Sequence, residues 1–236
     1  MIDRLLPETT TPEDLRPSRR SVGSALVLFA ALMLVAVLLD EPVARRLHDS
    51  GVAESADAWR WKWLLKAPGE AWLVAIVAVA VAPLHPWRLL AGGWVALTGA
   101  LSGLQVVIKW VVGRTRPYEI VGLLDQPRPF LLFWFRDGGE GFLHQKNLSF
   151  PSGHTSTAFA LAAALGILFP RGRWLFFSVA ALTGLQRISE NAHFVSDVVA
   201  AAGFGVGVTY AALWCINTRQ LRSAARKPRL SAEATP

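Results

Sequence analysis

Cysteine is almost absent. Cys215 is the only one in 236 residues, which excludes a disulfide scaffold and any cysteine-rich zinc or iron–sulfur site. Charge is scarce as well. Asp, Glu, Lys and Arg make up 17% of the chain, against roughly 25% in an ordinary soluble domain, while hydrophobic residues reach 53%. So apolar a chain is not intrinsically disordered. What charge there is leans one way, with 24 Lys and Arg against 17 Asp and Glu, a net +7. A basic balance of this kind points to nucleic acid or to an anionic membrane surface, and the positions of the cations decide between them.

The cations lie between long apolar runs. The clearest run, Val22–Leu39, has eighteen residues without a charge, between Arg19-Arg20 and Asp40-Glu41. That is long enough to cross the hydrocarbon core as a helix. It exceeds the roughly 7–15 residues of a secretory h-region, and no A-x-A follows, so it reads as a retained transmembrane helix. Further helices are predicted over Ala71–Leu84, Leu89–Val112, Ser152–Phe169, Trp174–Leu185 and Val198–Ile216. The predicted fold class is all-α, an integral membrane bundle of six transmembrane helices in one domain, residues 22–216. Residues 1–21 form an N-terminal tail and residues 217–236 a basic C-terminal tail, irregular from Lys227 because apolar periodicity ends there.

With six spans both termini share one side of the membrane. Arg16, Arg19 and Arg20 precede the first run, and Arg219, Arg222, Arg226, Lys227 and Arg229 follow the last, so the positive-inside rule puts both termini in the cytoplasm. On that topology the cytoplasmic segments hold twelve Lys and Arg against five Asp and Glu, and the outer segments twelve against twelve. The net charge therefore reports membrane orientation, with no nucleic-acid partner. Residues 41–70, with Trp59, Trp61, Lys62, Trp63 and Lys66, read as an interfacial anchor. The apolar stretch Phe130–Phe135 is too short to span and reads as a segment dipping into the interface. Small-residue spacings at Gly99/Gly103 and Gly203/Gly207 read as helix packing within the monomer. An oligomeric state is not specified.

Three clusters place ionisable groups where an apolar environment makes them costly. The first is Lys109-Trp-Val-Val-Gly-Arg-Thr-Arg116-Pro117, in which Gly113 and Pro117 unwind the helix and draw Lys109 and Arg116 together. Taken alone, these are cations snorkelling at a helix end. The second is Pro151-Ser152-Gly153-His154 ahead of an apolar helix. Ser152 is a candidate N-cap, Gly153 admits close approach, and the free N–H groups make an anion site beside a titratable histidine. The third is Arg187, His193 and Asp197. Asp197, four residues on, faces one nitrogen of His193 and leaves the other nucleophilic, while Arg187 supplies a planar fork for phosphate oxygens.

Alternating spans bring all three clusters to the same, extracytoplasmic, face. There Lys109, Arg116 and Arg187 can hold a phosphate while His193 attacks phosphorus and His154 protonates the leaving oxygen. At these residues the chain resembles the type 2 phosphatidic acid phosphatase (PAP2) superfamily, whose signature is K-x6-RP, PSGH and SR-x5-H-x3-D. Only one position departs, Gln186 standing for the usual Ser.

The resemblance implies a phosphohistidine on His193, His154 as acid and base, Asp197 orienting His193, and phosphate contacts from Lys109, Arg116, Ser152, Gly153 and Arg187. It implies no metal and no cofactor. The expected protein is a multi-pass phosphatase of the cytoplasmic (inner) membrane with its site facing the periplasm. Its partner is a lipid substrate: a lipid A phosphate, undecaprenyl diphosphate (an isoprenoid diphosphate), phosphatidylglycerophosphate or phosphatidate. The run Ala192–Asp197 is more similar to bacterial lipid A phosphatases than to the HYPSD strings of isoprenoid diphosphatases. A lipid transporter or translocase is the alternative from a different class, but the ions gather at one face, with no broken helices paired across two halves.

Overall fold

A computed structural model describes residues 19–52, 62–85, 88–120 and 148–233. Helix α1 covers Arg19–Asp49, α2 Lys62–Lys66, α3 Ala71–Val81, α4 Arg88–Ser102, α5 Gln105–Val112 and α6 Pro117–Ile120. Helix α7 covers Gly153–Leu168, α8 Arg173–Ser189 and α9 Val195–Glu233. The described residues are all-helical apart from one isolated bridge between Thr115 and Leu148. Helices occupy every one of the six predicted apolar runs.

Their boundaries differ from the prediction for local reasons. Helix α1 runs ten residues past Leu39, because Glu41 and Arg45 pair across one turn (2.8 Å) and nothing after Pro42 breaks the helix before Gly51. The third run is broken at Gly103-Leu104, where i→i+3 bonds to Ala100 and Leu101 carbonyls tighten the turn and separate α4 from α5. The tail expected to be irregular from Lys227 stays helical to Glu233; residues 219–227 are good helix formers without a glycine. Trp59, Trp61 and the Phe130–Phe135 stretch lie outside the described residues.

Among the described residues, three segments are long and apolar enough to cross a membrane: Arg20–Asp49, Leu89–Val112 and Val195–Asn217. The pair Lys62–Gly69 and Ala71–Leu84 makes a fourth if a 70° bend is allowed within one span. Helix α7, with 16 residues, and α8, with 17, are about 24–26 Å long at 1.5 Å per residue, a little under the hydrocarbon thickness. Outward faces carry large apolar side chains such as Leu28, Val79, Leu89 and Trp174, an exterior suited to lipid.

Helix α7 is the hub. Its alanines Ala158, Ala160, Ala162, Ala163 and Ala164 are all buried, so α4, α8 and α9 approach it closely. A second apolar cluster joins Val74 and Val81 of α3, Trp94 and Val95 of α4, Leu161 and Leu168 of α7 and Leu213 of α9. Helix α1 packs mainly on α9. The paired glycines serve packing inside the chain: Gly99 sits against Val74, and Gly203 against Phe29.

Gly205 is the tightest contact between α9 and α7. A Cβ there would stand 2.2 Å from the Ser156 carbonyl oxygen and 2.9 Å from the Ala160 nitrogen, whereas one on Gly207 meets nothing within 4 Å. Gly205→Ala is expected to destabilise the fold by about 1–3 kcal/mol, read as a lower melting temperature in detergent. Gly207→Ala should melt at or above the wild-type temperature. Equal melting of the two variants would contradict this packing.

Candidate active site

The Lys109 segment ends α5. Gly113 closes the helix in the left-handed region (φ 61°), its N–H bonding the Lys109 carbonyl at 2.9 Å. The chain then unwinds as expected through Arg114–Arg116 until Pro117 starts α6. Backbone hydrogen bonds join the three clusters. Ser149 N–H donates to the Arg114 carbonyl (2.7 Å), Ser152 N–H to the Asp197 carbonyl (3.2 Å), and Tyr118 N–H to the Asn191 carbonyl (3.1 Å). Lys109 Nζ donates to the Leu148 carbonyl at 3.0 Å, so its buried ammonium is held beside the Pro151–His154 turn.

Lys109, Arg116, Gly153, His154 and His193 line one cavity of about 820 Å³, together with Glu70, Gln105 and a wall of small residues from α3 and α4. Ser152, Arg187 and Asp197 are buried but are not among its lining residues. Ser152 occupies the N-cap position of α7 without making the side-chain cap bond; its hydroxyl accepts from Thr155 Oγ1 instead (2.9 Å). The N-terminal end of α7, with Gly153 and His154 lining the cavity, thus lacks a side-chain cap from Ser152. Arg187 forms an ion pair with Glu190 and stays within electrostatic reach of Lys109, His154 and His193.

His193 lies two residues before α9 rather than on a helical face shared with Asp197. It sits in a loop reversed at Asn191, whose positive φ of 51° suits an asparagine. Its Nδ1 is 3.7 Å from Asp197 Oδ2, an ion-pair distance longer than a hydrogen bond. Both Asp197 oxygens are already engaged: Oδ1 accepts from Arg114 Nη1 (2.7 Å) and Oδ2 from the Phe194 N–H (2.8 Å). His154 Nε2 lies 3.0 Å from Glu70 Oε1, which also pairs with Lys66 at 3.3 Å.

Sequence reasoning assigned no role to Glu70, Asp40 or Arg114. An acid at the end of an apolar run was a usable signal for Asp40. Glu70, 84 residues from its histidine, offered none.

Several buried donors have no hydrogen-bond partner among the described residues: Arg116 Nε, Arg187 Nε, Gln186 Nε2 and His193 Nδ1. Each buried donor left unmatched costs about 1–3 kcal/mol, and for Arg116, which lines the cavity, an anion there is a natural partner. Burial pushes the His193 imidazole from 6.5 to about 3, Asp197 opposing and Lys109 and Arg187 reinforcing the shift. A neutral imidazole beside clustered cations has the chemistry to attack an electrophilic phosphorus.

The PAP2 superfamily matches residues 89–221, more than half of the chain and all three clusters. The chain belongs to the PAP2 superfamily. Among curated relatives, a lipid A 1-phosphatase of Rhizobium etli is 29% identical over 206 residues, covering 80% of this chain and 82% of that protein. A lipid A 1-phosphatase of Rhizobium johnstonii is 36% identical over 115 residues, 48% of this chain but only 43% of the relative. Among solved structures, the transmembrane PAP2 type phosphatidylglycerolphosphate phosphatase from Bacillus subtilis aligns over 83% of this chain and 96% of its own, at 19% identity and a TM-score of 0.40. Superfamily membership and the curated relatives indicate a phosphatase, that is, a phosphoric ester hydrolase, and the long apolar helices indicate a multi-pass membrane protein.

The lowered His193 value has a direct test. Ring NMR of labelled histidines, assigned by the signal lost in His193→Asn, is expected to show His193 uncharged from about pH 8 down to about pH 4.5. A midpoint near the ordinary imidazole value of about 6.5 would contradict the burial argument.

Proposed function

We propose that this PAP2 protein is a metal-independent lipid phosphatase that acts through a phosphohistidine on His193, with a lipid A 1-phosphate as its preferred substrate. One observation carries the reading: Lys109, Arg116, His154 and His193 share a cavity behind which buried donors lack partners. The substrate preference is supported by the lipid A 1-phosphatases among the relatives.

In this mechanism Lys109, Arg116 and Arg187, with the N–H groups at Ser152 and Gly153, neutralise the phosphate oxygens as charge builds on them. His193 Nε2 attacks phosphorus and forms an N–P bond as the P–O bond to the lipid breaks. His154 gives its proton to the departing oxygen. It then takes a proton from water, whose oxygen attacks phosphorus, breaks the N–P bond and releases phosphate. Asp197 supports the positive charge that His193 acquires. The three cations supply the charge neutralisation for which other phosphatases use a divalent ion. The helices are read as six crossings, with both termini in the cytoplasm and the cavity opening to the periplasmic face of the inner membrane. This reading is supported by the basic residues flanking the first and last helices.

Purified protein in detergent is expected to release phosphate in excess EDTA, faster from lipid A than from undecaprenyl diphosphate, phosphatidylglycerophosphate or phosphatidate. His193→Ala should lower the rate by at least about 10³-fold. Full activity in that variant, or abolition by EDTA, would overturn the mechanism. A different ranking of lipids would overturn only the substrate.

A further inference from the structure

Asp40 is the acid that ends the apolar run of α1, and it lies outside the residues that the superfamily matches. Only 4% exposed, its carboxylate is costly to bury unless fully engaged. Its partners all surround the His193 loop. Oδ1 accepts the Ser196 N–H at 2.8 Å, while Oδ2 accepts the Ser196 hydroxyl at 2.6 Å and Arg114 Nη2 at 2.7 Å. The other edge of Arg114 reaches Asp197 Oδ1 and the Ser196 hydroxyl, both at 2.7 Å, and its guanidinium lies 3.8 Å above the Phe194 ring. Asp197 in turn faces His193 Nδ1.

We infer that Asp40 is a positioning residue for His193, acting through Arg114 and Ser196 on the carboxylate of Asp197. Two carboxylates on opposite edges of a planar guanidinium fix its rotation, so the Asp197 carboxylate is held in one plane. Asp40 also shares the charge of Arg114. Without that share, more of the Arg114 charge falls on Asp197, and Asp197 gives less support to the cation formed as His193 bonds phosphorus. Both effects bear on the chemical step. Neither bears on substrate capture, because Asp40 and Arg114 are absent from the cavity wall. A helix outside the matched region thus completes the frame of the nucleophile.

This inference rests on His193 being the nucleophile, and the experiment separates the two ideas. The full chain is assayed in detergent with the lipid hydrolysed fastest among the four above. Asp40→Asn is nearly isosteric and removes only the charge. It should lower kcat about 10–100-fold with KM within about threefold, as supporting residues around a reacting group do, and Asp40→Glu should recover part of the loss. The double variant Asp40→Asn/Arg114→Gln should be no slower than Arg114→Gln alone, because the two residues act as one unit.

Unchanged kcat in Asp40→Asn, a loss confined to KM, or additive losses in the double variant would each overturn the inference. If Asp40→Asn does not fold, Ser196→Ala reads the same linkage, since it removes hydroxyl bonds to both Asp40 and Arg114. A roughly 3–10-fold fall in kcat at unchanged KM supports the inference, and wild-type kcat overturns it. Wild-type kcat in Asp40→Asn beside an inactive His193→Ala would sink this inference alone. An active His193→Ala would sink the reading beneath it.

Discussion

A single guanidinium ties the site end of the bundle together. Arg114 sits between Asp40 of α1 and Asp197 of α9, 2.7 Å from each, and belongs to the unwound chain between α5 and α6. A charge so deeply placed is tolerable only with matched partners, and here the partners come from separate helices. The same bonds that satisfy Arg114 therefore fix where α1 meets α9 and where the His193 loop starts. Removing either carboxylate takes an acceptor from a nearly buried guanidinium, which is costlier than losing an exposed pair.

Around that tie the apolar and polar parts divide the labour. The alanines of α7 and the absent side chain at Gly205 let the helices approach until backbone meets backbone. That closeness fixes the N-terminus of α7, and with it Gly153 and His154, against the loop carrying His193. Three backbone hydrogen bonds then hold the clusters against one another, the kind of positioning that the proposed phosphoryl transfer needs. Burial keeps His193 neutral, while Lys109 and Arg187 ensure that the electrostatic field favours an anion nearby.

Much of this was legible in the sequence because it depends on local pattern. Apolar runs between charges located the helices, and Gly113 and Pro117 marked the unwinding of the Lys109 segment. The spacing of His193 and Asp197 placed them together, but the 3.7 Å gap was not readable. It depends on Arg114 and the Phe194 N–H claiming both Asp197 oxygens, and Asp197 has no local signal for that competition. Glu70 and Asp40 were missed for the same reason. Their partners lie 84 and 156 residues away, and only packing of the Ala67–Gly69 turn on α7 and of α1 on α9 brings them close. Ser152 takes the cap position as expected, but its hydroxyl accepts from Thr155, three residues on, and makes no cap bond to α7.

The central claim is the covalent intermediate, and it can be trapped. Lipid labelled with ³²P at the scissile phosphate, mixed with enzyme for a few milliseconds and quenched in alkali, should leave label on the protein. Phosphohistidine withstands alkali and is lost in mild acid, and the labelled peptide should contain His193. Label that is acid-stable, that maps elsewhere, or that survives in His193→Ala would contradict the account.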